Sequence, residues 1–391
     1  MTSTPSAPDG RPAALTRELA ASGHLSDPAW HTVFERVPRH RFLPDPIWAP
    51  DALDEDQWVP VPRSDPYWWD NAYVDAAVVT QVDDGKPAGP DGRGLLPTSA
   101  ASQPSLVAGM LDALGARGDE TVLEIGTATG YNCALLCERF SSRNVTSVEI
   151  DPVLGEQAAA NLNATGHAPR LVVGDGALGV PERAPFDRVL ATVAARRVPA
   201  AWITQTRPGG LIVTPWTTGY TSGVLVRLTV GDDGTASGPI LGDAGFMGLR
   251  QERVTGGLWD FVDEDAPGVA DERIGFSPAL LSDRDPGRDL VVGLLVPGLA
   301  YGRYDGPEGS GEATVYVYDR AGSWAVGEFV PGRNDYEAHR YGPRDLWAEI
   351  EAAHTAWEAA GSPGRDRLGL TVTTTGDHRL WTDHPGNVLG V

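Results

Sequence analysis

Cysteine and lysine are almost missing from this 391-residue chain, which has Cys133, Cys137 and the single lysine Lys86. Two cysteines four residues apart, with no His or Cys nearby to complete a ligand set, exclude a disulfide framework and a structural zinc site. They read as small buried hydrophobes in a reducing compartment. No apolar run approaches the roughly 20 residues that span a bilayer. The start, MTSTPSAPDGRPAAL, has no basic stretch leading into an apolar one, so a cytoplasmic location is expected. Positive charge is scarce as well: 31 Lys and Arg stand against 53 Asp and Glu, a net charge of −22. Duplex nucleic acid and an anionic membrane would both be repelled by such a surface, and neither is expected as a partner.

What remains is an ordinary globular composition, 41% hydrophobic, long enough for one large domain and a smaller one. Residues 1–11 read as a polar tail. Helical spacing follows over 12–43 (Leu15, Leu19, Trp30, Val33, Phe34, Val37). Residues 44–98 read as irregular, and their aromatics Trp58, Tyr67, Trp68 and Trp69 suit either a substrate-covering lid or a loop pinned to the core. From residue 102 strands and helices alternate. TVLEIG, VTSVEI, RLVVGD, FDRVLATV, GGLIVTPW and GVLVRLTV are strands, with helices after 131, over 153–164 and near 199–207. That rhythm predicts a doubly wound, mostly parallel sheet with one antiparallel strand. Past residue 250 the pattern becomes α+β. LVVGLLV (290–296), ATVYVYD and SWAVGEF read as strands, 343–361 as an amphipathic helix with Pro343 in its first turn, and 369–383 as a hairpin turning near Gly376. The expected division is an N-terminal helical and lid region (1–98), a cofactor-binding core (99–250) and a C-terminal α+β domain (256–391).

The chemistry gathers at three strand ends. Glu124 closes one strand ahead of the turn Gly126-Thr127-Ala128-Thr129-Gly130, which opens a helix at Tyr131. Such a turn brings backbone N–H groups close to a ligand. Glu149, followed by Ile150, closes the next strand, where a carboxylate can accept two ribose hydroxyls. Gly174-Asp175-Gly176 closes the third, where Asp175 can accept from an adenine amino group. A nicotinamide dinucleotide is the rival ligand, but G-x-G-x-x-G is broken by Ala128 and Tyr131. The pattern therefore favours a nucleoside-bearing methyl donor.

The chain resembles the protein-L-isoaspartate O-methyltransferases over roughly residues 30–250. The resemblance is carried by FERVPRHRFLP (34–44), SQPSLVAGML (102–111), VLEIGTATGYN, VTSVEID, GDG and the run from Phe186 to Trp216. It implies a class I methyltransferase fold and S-adenosylmethionine held by Ser99, Glu124, Gly126, Thr127, Ala128, Gly130, Tyr131, Glu149, Ile150, Gly174, Asp175, Gly176 and Thr192. It also implies an Asp or isoAsp carboxylate as acceptor, with Ser102 at the transfer site. A carboxylate is ionised at neutral pH, so no base is needed, and one hydroxyl suffices to orient it. From the residues alone, Ser102 equally suits a helix N-cap. Arg39, His40, Arg41, Arg196 and Arg197 are candidates to orient an anionic acceptor, each more commonly a solvated charge. The Thr-Ile that usually precedes the family's Ser-x-Pro is Ala100-Ala101 here, the middle glycine of the turn is Ala128, and residues 256–391 are extra. These departures resemble members that tailor ribosomally made peptides (lanthipeptides and ATP-grasp-ligated peptides) through an aspartimide. A general isoaspartate-repair enzyme and a non-catalytic peptide-binding member are the alternatives.

Overall fold

The computed structural model describes residues 10–390, so most of the expected tail lies outside the described residues. The chain divides into two compact units. One takes the residues up to Ala194 together with 199–214 and 229–234; the other takes 195–198, 215–228 and everything from Thr235. The segment ahead of Ser99 thus shares a unit with the strand-and-helix core, and the division interleaves between 195 and 235.

In the first unit, α1 (Arg11–Ala21) and α2 (Pro28–Arg36) account for the helical spacing. Asp27 accepts from the Ala29 amide, and Pro28 occupies the first turn, where a missing N–H does no harm. The stretch expected to be irregular is instead largely ordered. It holds β1 (Ile47–Pro50), β2 (Trp58–Val61), α3 (Pro66–Asn71), β3 (Val78–Val82) and β4 (Pro97–Ala101). The strands form an antiparallel sheet of order β2-β1-β3-β4. Four- and five-residue strands punctuated by Pro50, Pro60 and Pro97 are too short to display a period of two, so the sequence pattern could not reveal them. Trp68 and Trp69 pack with Ile47, Val78 and Ala101, which pins this region to a core; Tyr67 stays exposed.

The alternating rhythm follows as expected. α4 (Pro104–Ala113), β5 (Val122–Ile125), α5 (Tyr131–Phe140), β6 (Val145–Glu149), α6 (Pro152–Ala164), β7 (Arg170–Val173), β8 (Phe186–Ala191), α7 (Ala200–Thr204) and β9 (Thr206–Trp216) succeed one another. β5 lies between β6 and β8, with β7 beyond β6 and β9 beyond β8, all parallel. The order reverses at β5. In such sheets ligands bind in the crevice at the carboxyl ends of the strands where this reversal occurs, here the turn after Ile125.

β10 (Val224–Val230), like β9, has residues in both units. In the second unit β11 (Ala236–Asp243) pairs antiparallel with β17 (Leu368–Val372), which forms the expected hairpin with β18 (His378–Thr382). β11, β12 (Ala270–Ile274), β13 (Ala300–Asp305) and β16 (Tyr336–Tyr341) lie outside the strands expected from the sequence. LVVGLLV, expected as a strand, instead forms the end of α8 (Pro286–Leu295) with Val296 as its C-cap, and the N-cap Asp285 accepts from the Gly287 and Arg288 amides. A buried helix is apolar all round, so periodicity alone cannot separate it from a buried strand. β14 (Ala313–Tyr318) and β15 (Trp324–Phe329) complete an antiparallel sheet of order β12-β16-β15-β14-β13. One face, with Val315, Val317, Ala325 and Ala338, is covered by α8 and by α9 (Leu346–Ala359); α9 is capped by Asp345, so Pro343 precedes the helix rather than sitting in its first turn. The other face carries Tyr316, Tyr318, Trp324 and Val326 under Leu258, Phe261 and Val262.

Candidate active site

The turn between β5 and α5 is shaped by its own backbone. Gly126 has φ 93°, and a side chain there would lie 2.8 Å from Thr192 Oγ1. Thr192 closes the turn by donating that hydroxyl to the Gly126 carbonyl at 2.6 Å. Ala128 replaces the family's glycine in a left-handed conformation, φ 48°. Its amide is taken by Glu149 Oε2 at 2.7 Å, and Glu149 Oε1 accepts from the Asp151 amide at 3.0 Å. Each Glu149 oxygen keeps a second lone pair. Asp175 Oδ1 caps the single turn after β7 through the Ala177 amide at 2.9 Å, and Trp202 Nε1 pins the Gly176 carbonyl at 2.8 Å.

The cofactor residues named from the sequence fall into two tiers. Gly126, Ala128, Ile150, Gly174, Asp175 and Thr192 are half-buried along the rim, whereas Ser99, Glu124, Thr127, Gly130, Tyr131, Glu149 and Gly176 are buried. Glu124 departs furthest from its expected role. It is fully buried beneath the turn, with Asn132 Nδ2 on Oε1 at 2.7 Å and Ser147 Oγ on Oε2 at 2.5 Å. The same serine hydroxyl lies 2.6 Å from Thr127 Oγ1, so the carboxyl holds the turn from below. Burial pushes its pKa up to about 7, against the pull of the Ser147 and Asn132 hydrogen bonds. Tyr131 packs on Phe42, and Ser99 Oγ accepts from Thr80 Oγ1 at 3.1 Å.

Ser102 sits between β4 and α4. The capping role open to it falls elsewhere: Asp75 Oδ1 accepts the Ser105 amide at 2.8 Å, and Asp75 Oδ2 accepts from Gln103 Nε2 at 3.2 Å. The Ser102 side chain is half-buried, and its hydroxyl makes no hydrogen bond among the described residues. Its carbonyl accepts from Arg39 Nη2 at 3.0 Å.

Arg39 is not the solvated charge that its sequence context suggested. It is 1% exposed and donates to the carbonyls of Asn71, Ala72, Val74, Ala76, Ala101 and Ser102. Burial lowers its pKa to about 10. Neither Arg39 nor Asp75 had a local sequence signal, because their partners lie roughly 30 or more residues away and are largely backbone groups. His40 Nδ1 lies 2.5 Å from the Tyr73 hydroxyl, and burial, with Arg41 and Arg63, depresses its basicity. In the second unit the Arg196 and Arg197 amides donate to Glu252, and Arg197 Nη2 to the Gly376 carbonyl at 2.9 Å. Cys133 and Cys137 are buried free thiols.

The family model described as Protein-L-isoaspartate(D-aspartate) O-methyltransferase matches residues 62–252. Protein-L-isoaspartate O-methyltransferase 1 of Nitrosospira multiformis is 31% identical over 60% of this chain and 85% of its own length. Its namesake from an Anaeromyxobacter species is 37% identical over 57% of this chain and 87% of its own. A solved protein-L-isoaspartate O-methyltransferase covers 95% of this chain and 99% of its own at 23% identity, with a TM-score of 0.55, a likeness of fold.

Proposed function

From the premise that this chain belongs to the protein-L-isoaspartate O-methyltransferase family, we propose that it is an S-adenosylmethionine-dependent enzyme that methylates an Asp or isoAsp side-chain or α-carboxylate. The observation that carries this reading is the constellation at three neighbouring strand ends. The Gly126–Gly130 turn, Glu149 with unused lone pairs and Asp175 lie where the strand order of a parallel sheet reverses. These residues fit a nucleoside with a ribose and an amino-bearing base. Glu149 would accept from the ribose, Asp175 from the base, and the rim backbone would contact the remainder. S-adenosylmethionine supplies a sulfonium methyl that an oxygen nucleophile can displace.

The chain's own residues then have an orienting task. An acceptor carboxylate, with a reference pKa of about 4, arrives ionised, so no side chain has to remove a proton. Ser102 donates its free hydroxyl to one carboxylate oxygen and leaves the other for attack. Arg39 and Asp75 fix the backbone on either side of that hydroxyl. In-line placement of this kind is the main contribution such a site can make.

The acceptor is an Asp or isoAsp in a ribosomally synthesised, modified peptide, and the ester closes to an aspartimide with loss of methanol. Ala100 supports this, because the threonine that stands there in the usual pattern is replaced by a methyl group, whereas the Ala101 methyl is buried with Trp68 and Trp69. The second unit does not discriminate, since a solved member of the fold spans 95% of this chain. The names of the bacterial relatives favour the second reading, a general isoaspartyl acceptor. Mass spectrometry after incubation with the donor separates the two. Tailoring predicts a gain of about 14 Da, or a loss of about 18 Da after ring closure, on a ring-bearing Asp peptide. Turnover confined to linear isoaspartyl peptides overturns tailoring, and a label resistant to mild base overturns carboxyl transfer itself.

A further inference from the structure

Of the twelve tryptophans, Trp259 alone is exposed, at 55%, and it is not solitary. Its ring centroid lies 5.9 Å from Tyr304, itself 48% exposed on β13, and 5.4 Å from Tyr316 on β14 in an edge arrangement; Tyr304 and Tyr316 are 5.8 Å apart and perpendicular. β13 is an edge strand, so nothing in the sheet continues past Tyr304. Carboxylates border the rings. The Tyr316 hydroxyl donates to Glu264 at 2.9 Å, and Thr314, which faces Tyr304 across the β13–β14 pair, donates to Glu328 at 2.9 Å. The segments that carry the platform are acidic throughout. Residues 259–265 contain Asp260, Asp263, Glu264 and Asp265, residues 304–312 contain Asp305, Glu308 and Glu312, and neither has a Lys or Arg. Arg303, just outside, is paired with Asp305 at 2.7 Å.

Aromatic rings that merely filled the end of a sheet would be covered. Here two large π faces remain in water beside fixed carboxylates, the arrangement that attracts a cation both by ring quadrupole and by charge. We propose that the Trp259–Tyr304 face of the second unit docks an arginine- or lysine-bearing segment of a polypeptide partner. The same charge pattern excludes nucleic acid and anionic lipid from this face.

The test uses the full-length protein and a fluorescently labelled tetra-arginine peptide without an acceptor Asp, so it reads docking independently of methyl transfer. The expected result is anisotropy binding at least tenfold tighter than for a matched tetra-glutamine peptide, weakening as salt is raised. Trp259→Ala and Tyr304→Ala should each lower the affinity about threefold to tenfold while leaving net charge untouched, and Trp259→Phe should retain part of it. Near-UV circular dichroism of each variant verifies that the fold is kept. Equal binding of both peptides, or undiminished tetra-arginine binding by the doubly substituted protein, overturns the proposal, the latter by reducing the effect to bulk charge.

Discussion

Arg39 Nη2 donates to the Ser102 carbonyl at 3.0 Å and to the Ala101 carbonyl at 2.9 Å, tying a residue near the chain's start to the backbone of the proposed transfer site. A buried guanidinium whose hydrogen-bond partners are carbonyls forms a scaffold, since five donors in a rigid fork reach several peptide groups at once. Arg39→Met would strand those carbonyls without partners. The expected cost is about 3 kcal/mol or more of stability in urea unfolding. Arg39→Lys, with fewer and differently directed donors, should fall between. At a temperature where the Lys variant is folded, its kcat should drop while its affinity for S-adenosylhomocysteine changes less than threefold. A kcat equal to that of the unaltered protein would remove Arg39 from the positioning of Ser102.

Ser102→Ala separates chemistry from structure, because the hydroxyl has no partner among the described residues. Unfolding free energy should stay within about 0.5 kcal/mol of the unaltered protein, as for a surface change. S-adenosylhomocysteine affinity should likewise be unchanged by calorimetry, while kcat falls by about tenfold to a hundredfold, the loss of one orienting hydrogen bond. Normal turnover would assign the acceptor contact to another group.

Ala128 occupies a left-handed conformation at φ 48° that costs an L side chain about 1–2 kcal/mol. Ala128→Gly relieves this strain but frees the unfolded chain by about 0.4–1 kcal/mol. The net expectation is a stabilisation of up to about 1.6 kcal/mol, measured by chemical denaturation, with cofactor affinity retained or improved. A clear destabilisation would mean that the methyl group packs usefully in the turn.

The parts of this fold legible in the sequence are those whose signal is local. Gly126, Glu149 and Asp175 announce three strand ends because each follows an apolar run. The β17–β18 hairpin is announced by its turn at Gly376. α8, expected as a strand, carries a local signal as well. Asp-Pro opens α2 at Asp27, α3 at Asp65 and α6 at Asp151, and the same dipeptide at Asp285 marks the start of α8. Other features had no such signal. Glu124 reads like a ligand contact, and only the fold reveals that Ser147 and Asn132 close over it. Arg39 reads like a surface charge because hydrogen bonds to distant carbonyls leave no side-chain pattern. Burial is a property of the assembled unit, so the sequence alone could not divide the candidate cofactor residues into rim and support.

Glu124 makes the sharpest pH prediction. Its folded-state pKa of about 7 lies above its ordinary value of 4.5, so between those pH values the folded protein holds a proton that the unfolded chain has released. Stability from this group is therefore fully present below about pH 4.5, falls as pH rises to about 7 and is flat above, a total of roughly 3 kcal/mol at 1.36 kcal/mol per unit. Protonation also reverses the hydrogen-bond chain. A neutral Glu124 donates to Ser147, which then donates to Thr127 in the Gly126–Gly130 turn, whereas the carboxylate accepts from Ser147 and leaves Thr127 to donate. Glu124→Gln keeps the shape and removes the titration. The difference in unfolding free energy between the unaltered protein and this variant should decline with pH across that window and level off above it. Parallel pH curves for the two proteins would show that the carboxyl is already ionised at the lower end, with Ser147 and Asn132 stabilising the charge more strongly than burial opposes it.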